Sequence, residues 1–151
     1  MCFNAYMEHL IKQLREGGYS CVIRQGGVIR TFTERGVNDL YRLLSEEPDF
    51  LRNAEVADKV IGKAAAAIMA IGGVKKVHTG VISESAYDLL VRSGIEISFD
   101  KKVAYIINRT QTDRCPLEKL CADAPTPQEC IPLIDAFIKK TEKAPSCIKN
   151  F

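Results

Sequence analysis

Phe3, Tyr6, Met7, Leu10, Ile11 and Leu14 repeat at the spacing of one helix face, with Glu8, Lys12, Gln13 and Arg15 between them, and Gly17-Gly18 supplies a stop. Two β-rich runs follow, Ser20 to Arg24 and Val28 to Phe32, joined by Gln25-Gly26-Gly27. A glycine connection of that length predicts a β-hairpin. Val37, Leu40, Tyr41 and Leu44 restore the helical period until Pro48, which cannot simply continue it. From about Ala54 to Ile71, the apolar residues Val56, Ala57, Val60, Ile61, Ala64, Ala65, Ala67, Ile68 and Ala70 cover nearly every face beyond the first turns. Closed by Gly72-Gly73, the segment predicts one long buried helix.

Val74 to Ile82 reads as a strand, after which Ser83 or Ser85 can cap a helix running through Ala86, Leu89 and Leu90 to Gly94. Ile95 to Phe99 predicts the next strand, Lys101-Lys102 a bend, and the apolar run Val103 to Ile107 a further strand buried on both faces. The polar stretch Asn108 to Arg114 predicts a loop. Pro116 then suits the first position of a helix, and Thr126-Pro127-Gln128-Glu129 is a capping box opening a last helix through Ile131, Ile134, Phe137 and Ile138. Pro132 is expected to delay or kink that helix, and the tail from Lys143 onward to fray. Repeated strand–helix–strand units argue for one domain over residues 1–151, an α/β fold of the three-layer α/β/α sandwich type. Its mixed sheet would hold about five strands, flanked by an N-terminal helix (1–18) and a C-terminal helix and tail (125–151).

Composition narrows the function classes. Lys+Arg number 21 against Asp+Glu 19, and the signs are interspersed, so no electrostatic footprint for bulk nucleic acid or an anionic membrane is present. The longest apolar stretch, Ala64 to Val74, is too short and too rich in Ala and Gly to span a bilayer. The first residues lack a basic leader followed by a continuous apolar region, so the expected compartment is the cytoplasm.

Two segments carry a family resemblance: Ala57-Asp58-Lys59-Val60-Ile61-Gly62-Lys63-Ala64-Ala65 and Tyr105-Ile106-Ile107-Asn108-Arg109-Thr110. With the hairpin and the Cys115-Pro116-Leu117-Glu118 pattern, the chain from roughly Tyr19 to Glu118 resembles an uncharacterised prokaryotic family of the cytidine deaminase-like superfamily. The resemblance implies a deaminase-like fold and invites a test for zinc chemistry. Zinc deaminases place a His or Cys ligand two residues before a Glu at one helix start, and two Cys of a Pro-Cys-x-x-Cys at the next. If the buried helix takes the first position, Val56 falls at the ligand, Ala57 at the spacer and Asp58 at the acid/base. Valine cannot bind zinc. The second position, Ile82 to Tyr87, contains neither Cys nor His. The expectation is therefore a domain without the zinc motif, without metal and without cofactor.

What is left is a charged cluster, Asp58, Lys59 and Lys63, with Gly62 permitting close backbone approach. Together with Asn108, Arg109 and Thr110 it suggests a pocket for a small nucleotide-like or other anionic ligand. Asp58 would accept a ligand donor, Lys59 and Arg109 would meet anionic oxygens, and Asn108 would orient the loop. The plainer alternative makes Lys59 and Lys63 a solvated i,i+4 pair and Asp58 a charge favoured at a helix start.

Six cysteines, at positions 2, 21, 115, 121, 130 and 147, match no zinc-finger or ferredoxin spacing. Cys21 is expected in the core. Cys115 follows Arg114 and precedes a helix start, which favours the thiolate, so a thiol-dependent enzyme using Cys115, with Asp58 or Glu118 handling protons, is a second reading. A homo-oligomeric interaction module is a third. His9 is expected at the surface, and His78 has no Glu or Cys neighbour at metal spacing.

Overall fold

The computed structural model describes residues 2–33, 37–106 and 116–143, with side chains described between 7 and 140. Helix α1 (Cys2–Gly17) leads into the hairpin β1 (Cys21–Gln25) and β2 (Val28–Phe32), as the sequence predicts. Helix α2 (Asn38–Glu46) stops before Pro48, and the proline itself opens a further short turn, α3 (Pro48–Leu51).

The next segment corrects the sequence reading. Residues 54–71 are not one helix but strand β3 (Glu55–Ile61) followed by helix α4 (Lys63–Gly72), with Gly62 in extended conformation between them. Val56, Val60 and Ile61 are β-branched and favour a strand, whereas the alanines that favour a helix begin only at Ala64. A strand covered on both faces carries apolar residues almost continuously and so imitates a buried helix. Gly73, at φ 81°, ends α4 by donating its amide to the Met69 and Ala70 carbonyls.

Strand β4 (Lys76–Ser83) runs into α5 (Glu84–Arg92), whose N-cap is Ser83: its Oγ accepts the Ala86 amide at 3.2 Å. A second correction follows. Strand β5 (Glu96–Val103) continues straight through Lys101 and Lys102, and no strand spans 103–106. Ala104 and Tyr105 are exposed, because β5 is the sheet edge and offers them no further strand to pair with. The count of five strands still holds, since β3 replaces the expected 103–107 strand. Helix α6 (Pro116–Cys121) begins at its proline. Helix α7 (Pro127–Lys143) is capped by Thr126, whose Oγ1 accepts the Glu129 amide at 3.3 Å, and passes through Pro132 without a delayed start.

The sheet has the order β2-β1-β3-β4-β5. The strands β3, β4 and β5 are parallel, and β1 is antiparallel to both its neighbours. One face packs Val22 and Ala57 against Met7, Leu10 and Leu14 of α1. The other face packs Ile23, Val56, Val77 and Ile82 under α4, which also touches α2, α5, α6 and α7. Along the α1 face, Arg24, Glu55, Lys76 and Glu96 stand in register as one row of alternating charge, with ion pairs Arg24–Glu55 and Lys76–Glu96. A one-residue slip would turn this row into the apolar face, so the charges help fix the register.

Val56 and Ile61 lie in the same core although an odd number of positions separates them, and so do Val77 and Ile82. Strict alternation would put the members of each pair on opposite faces, so β3 and β4 each change face once between them. In β3 the change falls at Asp58 to Val60. There Asp58 Oδ1 accepts the Val60 amide at 3.4 Å and the Lys59 amide reaches the Ser20 carbonyl. In β4 it falls at Gly80, where a Cβ would stand 3.0 Å from the Lys59 carbonyl oxygen.

Candidate functional site

The corrected position of β3 divides the predicted cluster between two places. Asp58 and Lys59 sit at the middle of β3, while Gly62 and Lys63 stand at the start of α4. Asn108, Arg109, Thr110 and Cys115 lie outside the described residues.

At the start of α4 the groups are satisfied by one another. The Glu118 carboxylate, brought by α6, is buried; its Oε1 accepts the Lys63 amide at 2.6 Å and the Ser83 hydroxyl at 3.3 Å. Its Oε2 accepts the Ile106 amide at 3.2 Å. One carboxylate thus serves the N-terminus of α4, the N-cap of α5 and the chain leaving β5, where exposed amides and the helix dipole favour negative charge. Gly62 is required by this approach, since a Cβ there would lie 2.9 Å from Glu118 Oε1. Lys63 is buried, and its Nζ donates to the Ala122 and Ala124 carbonyls at 3.2 and 2.6 Å, just beyond α6. The alternative i,i+4 pair of solvated lysines does not form, because Lys59 points from a strand and Lys63 fastens the chain after α6 to α4.

Around Asp58 and Lys59 the groups are less fully paired. Both line an open cavity of about 120 Å³ between α1 and the sheet, together with Ile11, Leu14 and Arg15 of α1, His78 and Gly80 of β4, and Asp100 of β5. A wider hollow of about 360 Å³ shares Ile11, Arg15 and His78 and adds Glu8, Lys12 and Glu16. Lys59 is exposed. Burial pushes the Asp58 carboxyl up to about 7, against the lowering effect of the Val60 and Lys59 amides and of the Cys21 thiol that hydrogen-bonds to it. No cation pairs with Asp58 among the described residues, so near neutral pH it exists in both forms and can donate as well as accept.

His78 is buried and its Nδ1 lies 2.8 Å from Ser98 Oγ on the adjacent strand. Burial lowers the imidazole pKa, with Asp100 opposing and Arg15 adding to the effect, so the ring is neutral at pH 7. Arg15 meets Asp100 at 3.4 Å, both side chains well exposed. The sequence reading missed Arg15, Gly80 and Asp100 as groove residues and found no partner for His78. The signal is not local: Ser98 faces His78 only because β4 and β5 pair in parallel in that register.

Cys21, Cys121 and Cys130 are buried and free. Burial raises the Cys21 thiol well above its ordinary value, and Cys121, which donates to Cys130, is pushed up to about 12. None of the three is poised as a thiolate. Among the described residues no three His, Cys, Asp or Glu side chains converge as metal ligands, and no helix is long and apolar enough to cross a membrane.

The order of strands, with a hairpin at one edge and two parallel strand–helix units beside it, defines an α/β domain with a mixed five-stranded sheet. More narrowly, the chain belongs to the DUF1893 family, a domain of unknown function, whose family model matches residues 9–138. Its fold is similar to the crystal structure of a DUF1893 family protein from Thermotoga maritima, with 25% sequence identity and a TM-score of 0.79. That match covers 86% of this chain and 88% of the other. No curated protein matches the chain.

Proposed function

We propose that this domain binds a small anionic, nucleotide-like ligand in the groove between α1 and the middle of β3, and that it does not carry out zinc-dependent deamination. The observation that carries the reading is the open cavity shared by Asp58 and Lys59. The exposed Lys59 ammonium meets the ligand's anionic oxygens, while Asp58, whose carboxyl accepts the Cys21 thiol and the Val60 amide on the opposite face of the strand, holds the bend that presents Lys59. Asn108, Arg109 and Thr110 join this proposal on the sequence alone. Gly62 and Lys63, engaged with Glu118 and with the Ala122 and Ala124 carbonyls, leave it.

The three-layer, deaminase-like reading is supported by the helices on both faces, α1 on one and α4 with its neighbours on the other. Such folds place zinc ligands at the starts of two successive core helices. The helix starts here are Gly62-Lys63-Ala64 and Ser83-Glu84-Ser85-Ala86, not Val56 to Asp58, and neither holds His or Cys. The carboxylate between them, Glu118, already accepts two amides and a hydroxyl. These residues do not fit a zinc ion, which needs three protein ligands in a catalytic site.

The test is thermal unfolding against nucleosides, nucleotides, sugar phosphates and inorganic phosphate, with Asp58→Asn and Lys59→Ala in parallel. A ligand at about 100 times its Kd adds roughly 2.7 kcal/mol, several degrees for a domain of this size. A shift in the native protein that both variants lose is the expected result. A panel in which nothing shifts the native protein would remove the reading.

A further inference from the structure

Resting on that reading, we propose that the groove is a phosphomonoester site in which Arg15 and Lys59 hold the phosphate and His78, positioned by Ser98, donates a hydrogen bond to it. Arg15 comes from the last turn of α1 and Lys59 from β3, so two cations from separate elements line one cavity. At about 120 Å³ the cavity far exceeds the roughly 10–15 Å³ that a single water needs, and it admits a phosphate group. Arg15's present partner, Asp100, does not hold it firmly: their contact is long and exposed, the kind of pair that contributes little and exchanges readily. An arriving phosphate offers the guanidinium a bidentate alternative.

His78 lines both the cavity and the wider hollow, and Ser98 occupies its Nδ1. With the Ser98 hydroxyl donating to Nδ1, the neutral ring carries its proton on Nε2, which becomes the donor toward the groove. Gly80 sits in the same row, where a side chain would press on the Lys59 carbonyl.

The surrounding charges set the ligand class. Asp58 and Asp100 border the cavity, and Glu8 and Glu16 border the hollow beside Lys12. The carboxylates of Asp100, Glu8 and Glu16, set against the three cations, accommodate one phosphate and repel a chain of them. The remainder of the ligand, lying along α1, is therefore neutral or cationic, and polyphosphates are excluded.

The experiment measures Kd by thermal unfolding or calorimetry at constant ionic strength, using inorganic phosphate, a sugar monophosphate, a nucleoside monophosphate, pyrophosphate and a nucleoside triphosphate. The native protein is compared with Arg15→Gln, His78→Gln, Ser98→Ala, Lys59→Ala and Asp58→Asn. The expected result is binding of the monophosphates, weakened at least tenfold by Arg15→Gln and His78→Gln and severalfold by Ser98→Ala, with polyphosphates weaker still. Should His78→Gln fail to fold, Ser98→Ala together with Arg15→Gln carries the test. Ligand binding that Lys59→Ala and Asp58→Asn abolish but Arg15→Gln and Ser98→Ala leave intact would overturn this inference and keep the broader one. Tighter binding of pyrophosphate or triphosphate would also overturn it, as would equal shifts in every variant. No response to any anion would remove both.

Discussion

The groove beside α1 and the clasp at the start of α4 contain similar groups: a lysine, a carboxylate, a glycine and a hydroxyl. In the clasp these groups are buried and joined to one another, with Glu118 taking two amides and the Ser83 hydroxyl while Lys63 takes two carbonyls. In the groove, Lys59 is exposed, Arg15 holds a weak surface contact and the Asp58 carboxyl is near its titration point at neutral pH. The difference shows that residue type and closeness in sequence do not make a site. Lys59 and Lys63 are one helical turn apart in number, yet the strand end between them sends one to solvent and the other into the fold. Groups that satisfy each other stabilise the fold, and groups left open to solvent are available to a ligand.

The largest effect that could break this comparison comes from Glu118. Glu118→Ala leaves the buried Lys63 amide and the half-buried Ile106 amide without their acceptor and is expected to cost about 3 kcal/mol, read as a lowered urea midpoint with an unchanged slope. An effect below about 0.5 kcal/mol would mean that the clasp is not structural. Lys63→Met should follow at about 2 kcal/mol, through the lost bonds to Ala122 and Ala124, whereas Lys59→Ala should stay within about 0.5 kcal/mol of the native protein. Equal costs for the two lysines would erase the distinction.

Asp58 sharpens the comparison through pH. Its folded pKa lies above its unfolded value, so the folded state binds more protons than the unfolded state between about pH 4 and 7, and stability falls as pH rises through that window. Asp58→Asn should remove this slope and be more stable than the native protein above pH 7, by about 2 kcal/mol once the partial access of the carboxyl to water is allowed for. Urea midpoints measured from pH 4 to 8 on both proteins check the sign. A native profile that rises through this window for reasons traced to Asp58 would reverse the argument.

Much of this was legible in the chain. The hairpin, the Ser83 cap, the Thr126 capping box and the Pro116 helix start are local signals, in which a few adjacent residues determine the backbone. The split of residues 54–71 was not, because a strand covered on both faces shares its apolar density with a buried helix, and the boundary is marked only by Gly62 and the change from β-branched residues to alanines around it. The end of β5 was misread for a related reason: the apolar run after Lys102 looks like a strand until the sheet is seen to stop there. Of the candidate site, Asp58 and Lys59 could be singled out as charges beside a buried segment. Arg15 and the His78–Ser98 pair depend on strand register and on the packing of α1, which no spacing along the chain encodes.

The most direct test of the division between the two places is a titration of a sugar monophosphate into Lys59→Ala and Glu118→Gln, with the native protein as reference. The account predicts that Lys59→Ala keeps its unfolding midpoint and loses at least tenfold in affinity, while Glu118→Gln unfolds more easily and binds with the native Kd. Lost affinity in Glu118→Gln together with native affinity in Lys59→Ala would place the ligand at the helix starts and contradict it.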